Sequence, residues 1–198
     1  MRTQFQEQYT TAKRIGYQGA FYSNSHNAAL IGFKSMIPDT AELLPLITSS
    51  AIAENLYANQ IDYGVVAIEN SLGGIVDETK NILDTGDFEI IAKTVLPIHH
   101  CLFKHPEAEL PEIDTIASHI QALIQTRQTR NQLFKQLAEQ EIEDTAIGAI
   151  WLSNGTLPKN TAVICPRMAG IENGLELIAE NVEDASSFTT FALIRQAI

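Results

Sequence analysis

The feature that most constrains this chain is a unit occurring four times: a short apolar run, a knot of small polar residues, then a stretch with helical spacing. Arg14-Ile15-Gly16-Tyr17 passes through Gln18–Ser25 into His26–Phe33. Tyr63–Ile68 passes through Glu69-Asn70-Ser71-Leu72-Gly73-Gly74 into a predicted helix carrying Ile75, Val76, Thr79, Ile82 and Leu83. Thr115-Ile116-Ala117 passes through Ser118-His119 into a predicted helix from Gln121 to Leu137. Thr161–Cys165 is stopped by Pro166, and Ala169–Asn173 reads as a short helix closed by Gly174. Brief apolar runs alternating with helices predict an α/β fold with buried parallel strands. Folds of that kind place ligands at the carboxyl ends of their strands.

Two further segments are extended. Asp87–Leu96 and His99–Lys104, interrupted by Pro97, form a long stretch suited to carrying the chain from one lobe to another, and Phe191–Ile194 reads as a closing strand. With 198 residues, 45% of them hydrophobic, and no internal repeat or linker, the chain is expected to form one globular unit or two small lobes. Thirteen Lys plus Arg against twenty-four Asp plus Glu give a net charge of −11, the wrong sign for a nucleic-acid partner. No apolar run approaches the roughly 20 residues of a membrane span, and Met1–Arg14 lacks the apolar core of a secretory signal. A soluble, cytoplasmic protein is expected. Cys101 and Cys165 lie within apolar runs and read as buried hydrophobes.

An acidic chain has few cations with which to hold an anion, so helix N-termini are the expected donors. Ser25, Ser71 and Ser118 are favoured N-cap types, and Gly73-Gly74 allows a turn or a close ligand approach. Glu69 and Asn70 directly follow an apolar strand, where two polar side chains face the ligand edge. His99 and His100 are adjacent in an extended run and must point to opposite faces, so one at most faces a site. His119 stands at a helix start. No histidine has metal-ligand spacing, and nucleophile-elbow, P-loop and dinucleotide fingerprints are absent from the sequence, so no metal and no cofactor are expected. Ser186–Phe191 joins four hydroxyls to two aromatic rings ahead of a strand.

In this order the clusters resemble the prephenate dehydratase family from about Tyr17 to Ile194. The family's Y-x-G-P-x-G-T-F-S-x-x-A-A opening is similar to Tyr17-Gln18-Gly19 through Ser25-His26-Asn27-Ala28-Ala29, with Tyr22 at the second glycine and Asn24 at the phenylalanine. D-Y-x-V-x-P-I-E-N-S-x-x-G-x-V corresponds to Asp62–Val76, with Ala67 at the proline. L-P-I-x-H-x-L matches Leu96–Leu102, and S-H-P-Q-A-L-x-Q-C matches Ser118–Thr126. The closing T-R-F is present as Thr189-Thr190-Phe191.

The resemblance implies a two-lobed α/β catalytic domain like a type II periplasmic binding protein, with a ligand cleft between the lobes. Lobe one would take about 10–92 and 182–198, and lobe two about 93–181. It implies conversion of prephenate to phenylpyruvate in phenylalanine biosynthesis, with a homodimer as the common assembly. Thr189, Asn70, Ser118 and Gln125 carry over as catalytic positions, and Glu69, Ser71, Gly74, Ser25, His119 and Phe191 as substrate-binding neighbours. Thr190 stands where the motif arginine would pair with a carboxylate, leaving that task to Arg167, Lys93 or the helix starts. A relative with altered chemistry, such as a non-aromatising prephenate decarboxylase or an arogenate dehydratase, is the alternative, as is a non-catalytic small-anion binding module. With Ile198 only seven residues after Phe191, the family's phenylalanine-sensing ACT domain is expected to be absent.

Overall fold

The computed structural model describes residues 14–134 and 136–197. They form two compact units, each with its own sheet. Of the described residues, 14–19, 24–97 and 188–197 belong to unit 1, and 20–23 with 98–187 to unit 2. Residues 10–13 of the expected first lobe lie outside the described part.

Unit 1 begins with β1 (Arg14–Tyr17), whose Ile15 and Tyr17 are fully buried. It pairs in parallel with β2 (Glu42–Pro45) and β3 (Tyr63–Asn70). β11 (Ser187–Gln196) runs antiparallel to β3, and β5 (Phe88–Ile98) closes the sheet beyond β11. Two side chains of β11, Ala192 and Ile194, pack with Val66, Phe88 and Ile52, Ala53 and Leu56 of α2 (Ser49–Tyr57). The helix fits closely because β3 has no side chain at Gly64: a Cβ there would lie 2.3 Å from Ile52 Cγ2.

Unit 2 repeats the plan. β7 (Thr115–Ser118) is parallel to β8 (Ala138–Glu141) and β9 (Thr161–Cys165). β6 (Cys101–Lys104) is antiparallel to β9, and β10 (Glu176–Ala179) is antiparallel to β6. Leu102, Ile116, Ala162 and Ile164 fill its core with Ala122 and Leu123 of α4 (Ile120–Gln125). The α/β class with two lobes is as expected, whereas the strands are mixed rather than all parallel, since each sheet gains antiparallel members.

The boundaries differ from those expected by a few residues, for local reasons. β5 continues unbroken through Pro97, which is tolerated because an edge strand need not donate at every N–H. Residues 20–23 join unit 2, where the Ala20 N–H is taken by Asp144 Oδ1 at 3.4 Å. Residues 182–187 join it too, because Glu183 and Asp184 bond His100 and the start of α5 (Arg127–Leu133).

Three predicted helices are corrected. The stretch from Gln121 to Leu137 is two helices broken at Thr126, whose Oγ1 donates to the Ala122 carbonyl and accepts from Arg130 Nε. Phe134 then turns extended into β8. Gly74-Ile75 form a short strand, β4, returning along β3, and the helix starts only at Asp77, giving α3 (Asp77–Leu83). The first helix is the short α1 (Asn24–Asn27) followed by a π-helical turn over Ala28–Gly32. Two helices had no expectation attached: α2, capped by Thr48, and α6 (Thr145–Ser153), capped by Asp144.

Candidate functional site

In unit 1, β3 ends on Asn70, and the Asn70 side chain organises the turn beyond it. Its Oδ1 accepts from the backbone N–H of Leu72 at 3.0 Å and of Gly73 at 2.9 Å, an Asx turn that starts the return into β4. Gly74, at φ +76°, completes the turn in the left-handed region. With Oδ1 so engaged, the amide nitrogen is directed across the sheet, where Nδ2 donates to Thr189 Oγ1 at 2.9 Å. Thr189 is buried on β11, with Asn70 as its register partner. A hydroxyl oxygen that accepts one hydrogen bond is polarised, and its own hydrogen is left to a second acceptor.

The β3–β11 register slips between Thr190 and Phe191, so that Thr190 faces Glu69 while Phe191 faces Ala67. Such a bulge re-aims the side chains beside it. It leaves Thr189 and Thr190 at the end of the pairing and turns Phe191 into the core, where it is 1% exposed. Phe191, expected as a substrate neighbour, thus packs in the core. Its neighbour Phe188 is exposed instead. Glu69 is exposed opposite Thr190. Ser71 caps no helix: its N–H donates to the Phe188 carbonyl at 2.8 Å and its Oγ accepts from Phe188 N at 3.0 Å, extending the ladder. Ser25 is not a cap either, being buried inside α1 beside His26, whose ring stacks on Tyr17 at 4.8 Å.

In unit 2, Ser118 ends β7 fully buried, and its Oγ donates to the Ile164 carbonyl at 2.7 Å. The hydroxyl expected to meet substrate thus also ties β7 to β9. His119 is the N-cap of α4, with Nδ1 accepting from Gln121 N at 3.3 Å. That contact needs an unprotonated Nδ1 and places the ring hydrogen on Nε2. Gln125 ends α4, 8% exposed, with its Oε1 3.2 Å from His100 Nε2. The two histidines, which lie between β5 and β6, diverge as expected: His100 is buried, while His99 is exposed and pairs with Glu183. Burial alone would raise the Glu183 carboxyl, but donors from His100 N–H and His99 hold it below the usual range.

Several of the helix starts expected to supply anion donors are taken by the chain's own side chains. α2 is capped by Thr48, α4 by His119 and α6 by the carboxylate of Asp144, which accepts from Ala146 and Ile147. α3 opens with Asp77 and Glu78, which repel an anion. Burial pushes the Asp144 carboxyl up against the pull of its three backbone donors. Arg167 is ion-paired with Glu180 at 2.6 Å, and Lys93 lies exposed on β5. Cys101 and Cys165 are register partners across β6 and β9, both free and buried, and burial pushes both thiols up. Among the described residues no group of three or more His, Cys, Asp and Glu is placed to hold a metal ion.

Sequence reasoning did not single out Asp144, Glu183 or Asp184. Each acts by accepting backbone N–H groups from distant segments, a role with no spacing signal of its own.

The chain is 29% identical over 177 residues to arogenate dehydratase 1 of Petunia hybrida, covering 89% of this chain and 40% of that one. It is 31% identical over 181 residues to arogenate dehydratase/prephenate dehydratase 1 of Arabidopsis thaliana, covering 91% and 44%. It therefore spans less than half the length of these relatives. The crystal structure of a prephenate dehydratase in complex with L-Phe from Arthrobacter aurescens superposes with a TM-score of 0.79 at 26% identity, over 93% of this chain and 61% of that one. The model of the prephenate dehydratase family matches residues 15–198, and with the motifs held in the geometry above the chain belongs to the prephenate dehydratase family.

Proposed function

We propose that the chain is a dehydratase acting on prephenate, which loses its ring carboxylate as carbon dioxide and its C4 hydroxyl as water to give phenylpyruvate. The carbon–carbon bond electrons move into the ring, the C4–oxygen bond breaks, and one proton joins the departing hydroxide. Aromatisation makes the reaction strongly downhill, so the protein needs to position the substrate and assist one leaving group. The observation that supports this best is the Asn70 Nδ2 to Thr189 Oγ1 bond at 2.9 Å. With its oxygen accepting from Asn70, the Thr189 O–H is oriented to donate to the leaving hydroxyl. Threonine is too weak an acid to surrender that proton, so in this reading it orients the hydroxyl and water supplies the proton. Gln125 serves as an amide donor to a carboxylate, and His119 offers its Nε2 hydrogen. No cofactor enters the scheme.

A second substrate, arogenate, is favoured by a specific observation. Arogenate carries an ammonium where prephenate carries a keto group. Here the motif arginine is replaced by Thr190, whose register partner Glu69 is exposed, so that end of β3 carries a carboxylate and no motif cation. An anionic side chain without its arginine suits an ammonium better than a ketone.

Incubating the protein with each substrate at neutral pH, following ultraviolet absorbance and product mass, decides between them. Phenylpyruvate from prephenate supports the first reading, and phenylalanine from arogenate with little turnover of prephenate supports the second. Turnover of neither, or a non-aromatic decarboxylated product, rejects both.

A further inference from the structure

The histidine of the L-P-I-x-H-x-L strand has no part in the scheme above, yet its surroundings are specific. His100 is 3% exposed. Its Nε2 lies 3.2 Å from Gln125 Oε1, and no described residue partners Nδ1. An imidazolium needs an acceptor for each of its two N–H groups, and here only one is at hand. Burial favours the neutral ring, against the opposing influence of the Gln125 bond and of Glu183, while the neighbouring His99 acts with burial. The single ring hydrogen therefore sits on Nε2 and donates to the Gln125 carbonyl.

Both partners are held in place by one segment. The His100 N–H donates to Glu183 Oε2 at 2.9 Å, and the His100 carbonyl accepts from Val182 N at 3.0 Å. The Gln125 carbonyl of the main chain accepts from Asp184 N at 2.7 Å. Residues 182–184 thus fix the donor ring and the helix end that it addresses. We propose that His100 is a positioning residue that takes the Gln125 side-chain carbonyl, so that Gln125 presents its NH2 group, and not its oxygen, to a substrate carboxylate. In the opposite tautomer Nε2 would accept, the amide would turn over, and an oxygen would face the anion. A neutral histidine thereby creates an anion donor in a chain of net charge −11 that lacks its motif arginine. The proposal rests on the reading of Gln125 as a substrate contact.

The test combines ring tautomer and kinetics. In the wild-type protein labelled with 15N-histidine, His100 should show a protonated Nε2 and a bare Nδ1 at pH 7. His100→Leu should raise KM for the turned-over substrate about 10-fold with kcat within about 3-fold, and His100→Gln, whose amide can donate from the Nε2 position, should recover most of it. In a Gln125→Ala background His100→Leu should change kcat/KM by less than about 2-fold, since a residue acting only through Gln125 has nothing left to act on. A hydrogen on Nδ1, or a His100→Leu loss undiminished in the Gln125→Ala background, overturns the proposal. If the wild type turns over neither substrate, the functional reading fails. The tautomer, and the shift of the Gln125 side-chain amide signals in His100→Gln, still decide the geometry.

Discussion

The two units build their sheets alike: three parallel strands, β2-β1-β3 or β8-β7-β9, followed by an antiparallel strand, β11 or β6. The seams between parallel and antiparallel strands nevertheless differ. In unit 2, Cys101 to Lys104 pair with Cys165 to Ala162 in regular register, and every residue of the seam is buried. In unit 1 the register slips beside Thr190, and the Asx turn at Asn70 folds the strand back on itself. Regular pairing yields a core; interrupted pairing yields polar side chains that are held by one another. The polar groups of unit 2, Ser118 and Gln125, are instead spent on or steered by the framework behind them.

This contrast can be broken most directly at Thr189. Thr189→Val keeps the shape of the side chain and removes the hydroxyl, so turnover should fall by about 10²-fold, the scale for a lost transition-state donor. Melting should shift little. Retained turnover would mean the unit 1 seam is structural after all. Ser118→Ala should do the reverse, lowering stability by about 1–2 kcal/mol by leaving a buried carbonyl short of a donor, with kcat/KM within a few-fold. Loss of activity in a fully stable Ser118→Ala protein would restore this serine to the reacting groups.

Acidity probes both units together, because each buries one histidine. Burial lowers the pKa of His26 in unit 1 and of His100 in unit 2. The unfolded chain binds protons at the ordinary histidine value of 6.5, while the folded chain binds them only at lower pH. The associated stability is present above that value and is lost as pH falls below it, at up to about 1.4 kcal/mol per pH unit for each group. Denaturant titrations from pH 7 to pH 5 should show this slope, and His26→Gln and His100→Gln should each remove part of it. An unchanged slope in both variants would locate the acid sensitivity elsewhere.

The smallest effect is expected at Tyr22, which occupies the family's second glycine position with φ +65°. A bulky residue in the left-handed region is strained by about 1 kcal/mol. Tyr22→Gly relieves that strain but gives the unfolded chain more freedom and removes the ring packed near Phe21. The net change in stability should stay within about 1 kcal/mol, and a larger loss on thermal melting would show that the ring itself holds residues 20–23.

Much of this was legible in the sequence. The strands at Ile15, Val65, Ile116 and Val163 follow from apolar runs, as does the place of Asn70 at a strand end. What could not be read depends on partners distant in the chain. Ser118 has the composition of a cap, and only the arrival of Ile164 beside it reveals a tie between strands. Phe191 belongs to an aromatic motif, and a one-residue slip in pairing decides that it faces the core. The break at Thr126 depends on Arg130 being drawn inward toward Leu123 and Glu139. The anion donors expected at helix starts were assigned from local charge, whereas the starts of α2, α4 and α6 each have an acceptor within the chain.

β11 lies between β3 and β5 in the sheet of unit 1, and the Asn70–Thr189 contact spans 119 positions of sequence. Unit 1 therefore cannot close its sheet by growing outward from local hairpins. β5 has to wait, without its neighbour, until the whole of unit 2 has been threaded past and β11 slots in between. Such long-range pairing makes folding slow and leaves strand edges open in the meantime. The Asn70–Thr189 contact is formed by the same late event, so assembly of the sheet and, on the proposed role of Thr189, acquisition of activity should follow a single time course.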